Sequence, residues 1–189
     1  MAKTAQAFQP LAVVVLTISN RHTPATDSSG DLISHLLQQA GHRISHRAIV
    51  PSDKYQIRAE VSRLLCESQH QVILLNGGTG FSADNCTVAA ISALFDQEVP
   101  GFGELFRQLS FAGIGSAALQ SNALAGLANQ KLLVAMPGSP SACELAMQQL
   151  LLPQLDARQG PCNFVPLLLR PVKAGGNNAV YEERLCCPR

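Results

Sequence analysis

The sequence carries little charge. Of its 189 residues, 14% are Asp, Glu, Lys or Arg, and the formal net charge is +1. Such a chain lacks the clustered basic charge with which proteins bind nucleic acid or anionic membranes, so we expect neither partner. Hydrophobic residues make up 47% of the chain, which excludes an intrinsically disordered protein. The length allows one sizeable core and leaves no room for a second full domain.

Membrane-spanning and secretory segments are also missing. No apolar run approaches the roughly 18 residues that a transmembrane helix needs, and the longest runs, such as residues 11–16, have the length of a strand. The first residues lack the basic segment and apolar segment of a secretory signal. The 6 cysteines include no C-x-x-C pair, and without a signal we expect them to be reduced thiols. The sequence therefore predicts a cytoplasmic protein.

Short apolar runs alternate with helical patterns along most of the chain. Residues 11–18, 44–50 and 72–75 are predicted strands, and each is followed by a loop and an amphipathic segment. Residues 123–136 carry a turn signal at Asn129-Gln130 and favour a hairpin. Three strand–loop–helix units with apolar strands predict a three-layer α/β/α fold with a mostly parallel sheet.

The predicted helices begin after polar or proline-containing loops. They start near Asp27, at Pro51-Ser52, at residue 87 for a helix through about residue 95, at residue 102, and after Pro140, where the final helix runs through residue 151. We assign residues 1–10 to a loose N-terminal arm and residues 11–169 to the α/β domain. Residues 170–189 have no periodic pattern and are predicted to form a flexible C-terminal tail.

The glycine-rich segment after the third strand is the strongest local signal. Gly77-Gly78-Thr79-Gly80 follows a buried strand directly, and glycines there let the backbone approach a ligand and direct amides towards it. The segment predicts a phosphate-binding or pterin-binding loop, with a tight turn as the purely structural alternative. It is not a P-loop, because no Lys-Ser/Thr follows the glycines at the required distance.

Two further loops occupy the same topological place. Ser19 and the segment Asp27-Ser28-Ser29-Gly30 lie between the first strand and its helix, and Pro137-Gly138-Ser139 lies between the last predicted strand and its helix. Taken singly, the first suits an ordinary helix cap and the second a break between elements. Because ligands bind at the carboxyl ends of parallel strands, we expect all three loops to form one polar pocket.

Two other patterns leave alternatives open. In residues 100–107, Glu104 could hold a metal ion or a ring N–H group and Arg107 a phosphate, or the two could form a solvated ion pair on a helix. The glycine loop also contains Gly78-x-Gly80-x-x-Ala83, a loose dinucleotide fingerprint, with Asp96 at the distance expected of a ribose-binding acid. This pattern keeps a nicotinamide-dependent oxidoreductase as a remote alternative.

These segments, in this order, resemble the molybdenum cofactor biosynthesis family that contains bacterial MoaB and MogA. The resemblance extends from about residue 11 to residue 164. Residues 150–164 are most similar to the MoaB branch. The segments that carry it are Asp27-Ser28-Ser29-Gly30, Gly77-Gly78-Thr79-Gly80, residues 100–107, Ile114-Gly115, residues 121–126 and Met136-Pro137-Gly138-Ser139.

The resemblance implies a three-layer α/β domain that assembles as trimers, or as hexamers in the MoaB branch. It implies binding of molybdopterin, a pterin with a dithiolene and a phosphate, and other cofactor-assembly enzymes as candidate partners. Active relatives use Mg-ATP to transfer an adenylyl group to that phosphate. The expected catalytic residues are Asp53, Asp84, Asn85 and Glu104, of which Asp53 and Asp84 would hold Mg²⁺. The expected substrate-binding residues are Ser19, Asp27, Ser28, Ser29, Gly30, Gly77, Gly78, Thr79, Gly80, Pro137, Gly138 and Ser139.

The chain departs from the family pattern where the chemistry is expected. Ser52 stands where active members have an acid after the second strand, and Asn85 stands two residues before Thr87, where they have Asp. Asn20 and Asn122 replace an Asp and an Arg of the pattern. Amide and hydroxyl oxygens are weaker Mg²⁺ ligands than carboxylates.

Asp53 and Asp84 lie one position away and are the available substitutes, although a shift of one residue re-aims a side chain and can cost about a hundredfold in rate. We therefore expect the protein to retain molybdopterin binding even where adenylyl transfer is weakened or lost. The alternative is a weakly active or inactive pterin-binding partner protein in the same pathway.

Overall fold

The computed structural model describes residues 6–170. Strands and helices alternate through the first half of the chain, in the order β1 (Ala12–Ile18), α1 (Ser28–Gln39), β2 (Arg43–Val50), α2 (Lys54–Cys66), β3 (Val72–Asn76) and α3 (Thr87–Ile91). The second half contains β4 (Gln97–Glu98), α4 (Pro100–Ile114), β5 (Leu124–Ala128), β6 (Lys131–Met136), α5 (Pro140–Ala146), α6 (Leu152–Gln154) and α7 (Val165–Leu168). Among these residues, no helix is both long and apolar enough to cross a membrane.

The strands form a mixed sheet in the order β2-β1-β3-β6-β5-β4. β2, β1, β3 and β6 run parallel, whereas β5 is antiparallel to both β6 and β4. The mostly parallel sheet is therefore confirmed. The hairpin of β5 and β6 is confirmed as well, and its turn residues Asn129 and Gln130 both have positive φ, as expected of a tight hairpin turn.

Two apolar cores lie on the two faces of the sheet, which explains why every residue of β1 except Thr17 is apolar. Alternate β1 residues point to opposite faces: Val13 and Val15 pack in one core, and Val14 and Leu16 in the other. α1, α4 and α5 cover the first core, and α2 and α3 cover the second. The three-layer α/β/α prediction is confirmed.

Four predicted element boundaries are wrong. α2 begins at Lys54 rather than at Pro51-Ser52, because the Asp53 side chain accepts hydrogen bonds from two backbone amides and caps the helix. The helix expected over residues 87–95 ends at Ile91 and continues as a 3₁₀ turn. α4 begins at Pro100, since proline fits the first helical turn.

The final predicted helix is interrupted after Ala146 by a π-helical turn at Met147–Leu151. Pro153 has no N–H and cannot complete the α-helical ladder at this point, which fits the widened turn.

Within the predicted N-terminal arm, Phe8 contacts the domain, whereas Gln6, Ala7, Gln9 and Pro10 are exposed. The Phe8 ring lies 5.2 Å from the His42 ring and 5.1 Å from the Arg158 guanidinium. The predicted tail lies outside the described residues apart from Arg170, so its flexibility stays a prediction.

Candidate functional site

The loops that follow β1, β2, β3 and β6 meet at one edge of the sheet. A Cβ added to Gly138 would come within 3.0 Å of the Gly77 Cα, so the last loop touches the glycine loop. The Ser52 N–H donates to Asn20 Oδ1 at 2.8 Å, and the Ser52 hydroxyl donates to the Asp84 carbonyl at 2.5 Å. The predicted convergence of separate loops is therefore what the structure contains.

A cavity of ≈ 640 Å³ opens beside the glycine loop and the loop before α5. Its wall is completed by the second half of α4, the 3₁₀ turn that follows it, and the first turns of α5. Among the described residues, none of those that line it carries a charge. The lining residues are Gly78, Thr79, Gly80, Asn85, Phe106, Leu109, Ser110, Gly113, Ile114, Ala117, Gln120, Ser121, Pro137, Gly138, Ser139, Ser141, Ala142 and Leu145.

The glycine loop exposes backbone amides to this cavity. Gly77 and Gly78 have φ values of 94° and 64°, a region that favours glycine. A Cβ added to Gly77 would also lie only 2.6 Å from the Ile18 carbonyl oxygen. Within residues 6–170, the N–H groups of Gly78, Thr79 and Gly80 have no hydrogen-bond acceptor. Unpaired amides beside a cavity form a site for an anion.

The loop before α5 contributes two more such amides. The N–H groups of Gly138 and Ser139 likewise find no acceptor in the described part of the chain. The Ser139 hydroxyl caps α5 by accepting from the Ala142 N–H at 3.3 Å. Below the loop, the Cys143 thiol donates to the Pro137 carbonyl at 3.3 Å. Burial raises the pKa of Cys143 to about 12, so the thiol stays protonated and remains a donor.

Asp27 has a structural role at the start of α1. Its carboxylate is 2% exposed and accepts hydrogen bonds from Thr17 Oγ1 at 2.8 Å, the Gly30 N–H at 3.0 Å and Arg47 Nη2 at 2.8 Å. Burial alone would raise the pKa of Asp27, but the hydrogen bonds from Arg47, Gly30 and Thr17 outweigh burial and hold that pKa below its ordinary value. With these three donors around it, the carboxylate fixes the start of α1.

The other predicted residues of the first loop do not line the cavity. The Ser19 hydroxyl accepts from the Arg21 and His22 amides, which folds the loop on itself. Ser28 is exposed at the start of α1. Ser29 is buried, and its hydroxyl donates to the Gly138 carbonyl at 2.7 Å. Asp27, Ser29 and Gly30 therefore support the site from below, and their direct contact with substrate stays a prediction.

The four predicted catalytic residues differ in their surroundings and in their position relative to the cavity. Asp53 Oδ1 accepts from the Tyr55 and Gln56 amides as the cap of α2. Asp84 is exposed, with its carbonyl bound by Ser52. Glu104 is exposed on α4, outside the cavity. Of the four, Asn85 alone lines the cavity.

Binding of Mg²⁺ by Asp53 and Asp84 stays a prediction. Within residues 6–170, no three His, Cys, Asp or Glu side chains lie together as a metal-binding group. Asp53 Oδ1 accepts from two backbone amides, and Mg²⁺ is commonly held by one or two carboxylates together with substrate phosphates.

The dinucleotide alternative fails on geometry. The Asp96 carboxylate accepts from the Asn129 N–H at 2.7 Å, in the turn between β5 and β6. β6 runs parallel to β3, so this turn lies at the edge where β3 begins, whereas Gly78 and Gly80 follow the end of β3. The two halves of the fingerprint are therefore at opposite edges of the sheet.

Sequence reasoning missed the wall that α4 contributes. Phe106, Leu109, Ser110 and Gly113 line the cavity at i, i+3, i+4 and i+7, the spacing of one helix face. This spacing is a signal that the sequence alone contains, whereas the charged residues Glu104 and Arg107 of the same helix do not line the cavity. Arg107 lies against Gly103, with Nη1 3.5 Å from the Ser121 carbonyl.

Comparison with known proteins decides the family. Residues 14–157 match the model of the MoCF_biosynth family, described as a probable molybdopterin binding domain. The chain is 46% identical to molybdenum cofactor biosynthesis protein B of Escherichia coli K12 over 168 residues, which cover 89% of this chain and 99% of the relative. The protein B of Bacillus subtilis is 42% identical over 142 residues, covering 75% of this chain and 84% of the relative. The chain belongs to this family.

Solved structures of the MoCF_biosynth family share the fold. A crystal structure of molybdenum cofactor biosynthesis protein B superposes with a TM-score of 0.77 at 42% identity, covering 79% of this chain and 94% of that one. The tungsten cofactor synthesizing protein MoaB from Pyrococcus furiosus gives a TM-score of 0.68 at 28% identity, covering 76% and 91%. The predicted family, and with it a place in molybdenum cofactor biosynthesis, is confirmed.

Proposed function

We propose that this protein binds molybdopterin and acts in molybdenum cofactor biosynthesis as a binding protein rather than as an efficient adenylyltransferase. The observation that carries the proposal is the set of unpaired amides of Gly78, Thr79, Gly80, Gly138 and Ser139 at one end of an uncharged cavity. They would hold the ligand phosphate, since backbone N–H groups in such turns bind anions.

The rest of the cavity suits the other parts of the same ligand. At ≈ 640 Å³ it lies within the range of about 300–1,000 Å³ typical of small-molecule sites. Phe106, Leu109 and Leu145 offer apolar surface to a ring, and the hydroxyls of Ser110 and Ser121 offer hydrogen bonds to its polar edge. The amides would therefore hold the phosphate of molybdopterin, and the apolar wall would hold its flat pterin ring.

Adenylyl transfer with Mg-ATP is the second candidate. It would require Asp53 and Asp84 to take the place of the acids missing at Ser52 and Asn85. Asp53 is engaged as a helix cap, and Ser52 is engaged with Asp84 and Asn20, so the binding function is favoured.

We further propose that the protein self-associates as a trimer or hexamer through α4 and the 3₁₀ turn at Gly115–Gln120. Large apolar side chains are exposed there: Leu105 49%, Phe111 62%, Ile114 55% and Leu119 80%. Large exposed apolar side chains concentrated in one segment indicate a protein interface. We expect the assembly to work in the cytoplasm, with other enzymes of cofactor assembly as partners.

The test is equilibrium binding of molybdopterin under anaerobic conditions, repeated with Mg²⁺ and ATP and followed by a search for adenylylated product. We expect saturable binding and little product. Leu145→Trp, which fills the cavity from its apolar wall, should abolish binding, whereas Leu169→Trp, outside this cavity, should not. Absence of binding by the unaltered protein would refute the proposal, and turnover comparable to that of an active relative would establish the second candidate.

A further inference from the structure

Four peptide groups of the two cavity loops have their carbonyl oxygens held from the protein side. Thr87 Oγ1 donates to the Gly77 carbonyl at 2.8 Å, and the Thr87 N–H donates to the Gly78 carbonyl at 3.0 Å. In the other loop, Cys143 holds the Pro137 carbonyl at 3.3 Å and Ser29 holds the Gly138 carbonyl at 2.7 Å.

Each of these contacts fixes the direction of an amide. In a trans peptide the C=O and the following N–H point in opposite directions, and the only cis bond among the described residues is Gly160-Pro161. A carbonyl directed at Thr87 therefore sends the N–H of Gly78 or Thr79 away from Thr87. By the same rule, the carbonyls held by Cys143 and Ser29 turn the N–H groups of Gly138 and Ser139 away from the protein interior.

The four amides oriented in this way are among those without an acceptor in the described residues, and their residues line the cavity. Thr87 is fully buried and Ser29 is 6% exposed, so neither hydroxyl is well placed to meet a ligand itself. The two loops touch at Gly77 and Gly138, which brings the two pairs of amides to one place.

We infer that Thr87 and Ser29 are positioning residues, which, together with the Cys143 thiol, hold the backbone of two separate loops so that four amides face one bound anion. This inference rests on the proposed function for the identity of that anion, the phosphate of molybdopterin. It changes the predicted role of Ser29 from contacting substrate to orienting the Ser139 amide that contacts it. Donors that are already oriented do not need to rearrange when the anion binds, and this lower cost of ordering increases the affinity.

Ser29→Ala tests the inference, and the same helix offers a matched control. Ser34 is also buried in α1, and its hydroxyl also donates to a backbone carbonyl, that of Gly30, at 2.7 Å. Both variants remove one buried hydroxyl of the same type. We expect Ser29→Ala to weaken molybdopterin binding about tenfold, with Ser34→Ala binding like the unaltered protein and a similar melting temperature for both variants. Equal affinities of the two variants would overturn the inference.

Thr87 supplies an independent pair of variants if Ser29→Ala does not fold. Thr87→Val keeps the shape and the backbone N–H but removes the hydroxyl, and Thr87→Ser restores a hydroxyl. We expect weaker molybdopterin binding for the first and near-normal binding for the second. If the hydroxyl makes no difference between them, Thr87 does not position the loop.

A measurement without ligand separates this inference from the proposed function. In amide-resolved NMR spectra of the unliganded protein, the signals of Gly138 and Ser139 should shift in Ser29→Ala and stay in place in Ser34→Ala. Unshifted signals in Ser29→Ala would overturn the positioning role even if molybdopterin binds. Shifted signals together with a failure of the unaltered protein to bind molybdopterin would sustain the positioning role and refute the proposed ligand.

Discussion

Arg47 on β2 donates to the buried carboxylate of Asp27 at 2.8 Å, and through its other nitrogen to the exposed Asp31 at 2.5 Å. The same Asp27 carboxylate accepts from Thr17, which in turn accepts from the side chain of Asn76 at 2.9 Å. The ends of β1 and β3, the middle of β2 and the start of α1 are thus joined by one polar chain below the cavity. These hydrogen bonds connect the strand ends from which the irregular loops of the site begin.

The first prediction concerns the stability that this pair provides. Arg47→Met leaves the Asp27 carboxylate buried without its cation, and we expect the free energy of unfolding to fall by roughly 2–3 kcal/mol. Arg63→Met is the control, because Arg63 pairs with Glu60 and Glu67 on the exposed face of α2, and exposed pairs contribute less than about 1 kcal/mol. Urea unfolding of both variants measures the difference, and equal losses would contradict the assigned role.

The second prediction is a pH dependence that originates at His42. Its Nδ1 accepts the Leu11 N–H at 3.2 Å between the packed Phe8 ring and the start of β1. Burial lowers the pKa of His42 below its ordinary value of 6.5, with the nearby Asp156 opposing the shift. The unfolded chain therefore takes up the proton first, so stability is fully present above pH 6.5 and decreases as the pH falls towards the lowered pKa of the folded protein.

The variant His42→Asn keeps an acceptor for Leu11 but cannot titrate. Its stability should fall less between pH 7 and pH 5 than that of the unaltered protein, whereas His35→Asn, at an exposed position, should change nothing. Burial also lowers the pKa of His70, so part of the dependence remains in His42→Asn. Parallel pH profiles of His42→Asn and the unaltered protein would show that His42 does not contribute.

The third prediction addresses assembly. Leu119→Asp places a charge on a side chain that is 80% exposed in one protomer and that the proposed interface would bury, so it should shift the sedimenting species towards the monomer. Tyr55→Asp is the matched control, since Tyr55 is 70% exposed on α2, on the other side of the sheet. Analytical ultracentrifugation distinguishes the outcomes, and an unchanged assembly in Leu119→Asp would place the interface elsewhere.

Much of this fold was predictable because its signals are local. Residues 12–18 form a buried strand because apolar side chains dominate both of its faces, and Asn129-Gln130 forms a turn between two apolar runs. The convergence of the loops followed from the parallel order of the strands. These features need only a short window of sequence and general rules of topology.

The roles of individual side chains were less predictable because they depend on distant partners. Ser29 donates to Gly138, 109 residues away, and no local pattern distinguishes that contact from a hydroxyl directed at substrate. Asp53 shows the opposite difficulty. The family resemblance predicts Asp53 as a metal ligand. Its local role, in which it accepts hydrogen bonds from the amides of the next helical turn as a helix cap, could have been predicted from its neighbours in sequence.

The last prediction tests whether restoring the missing acids restores chemistry. In the double variant Ser52→Asp with Asn85→Asp, the new carboxylate at position 52 cannot donate to the Asp84 carbonyl, which the Ser52 hydroxyl does at 2.5 Å. Two oxygen acceptors would instead face each other, and the loop that contains Asn85 would move away from β2. We expect a lower melting temperature and no gain in adenylylated molybdopterin when product is measured by chromatography with Mg²⁺ and ATP present. Ser52→Thr keeps the hydroxyl donor and should preserve stability. Product formation at the rate of an active relative would mean that only the carboxylates were missing and that the loop tolerates their return.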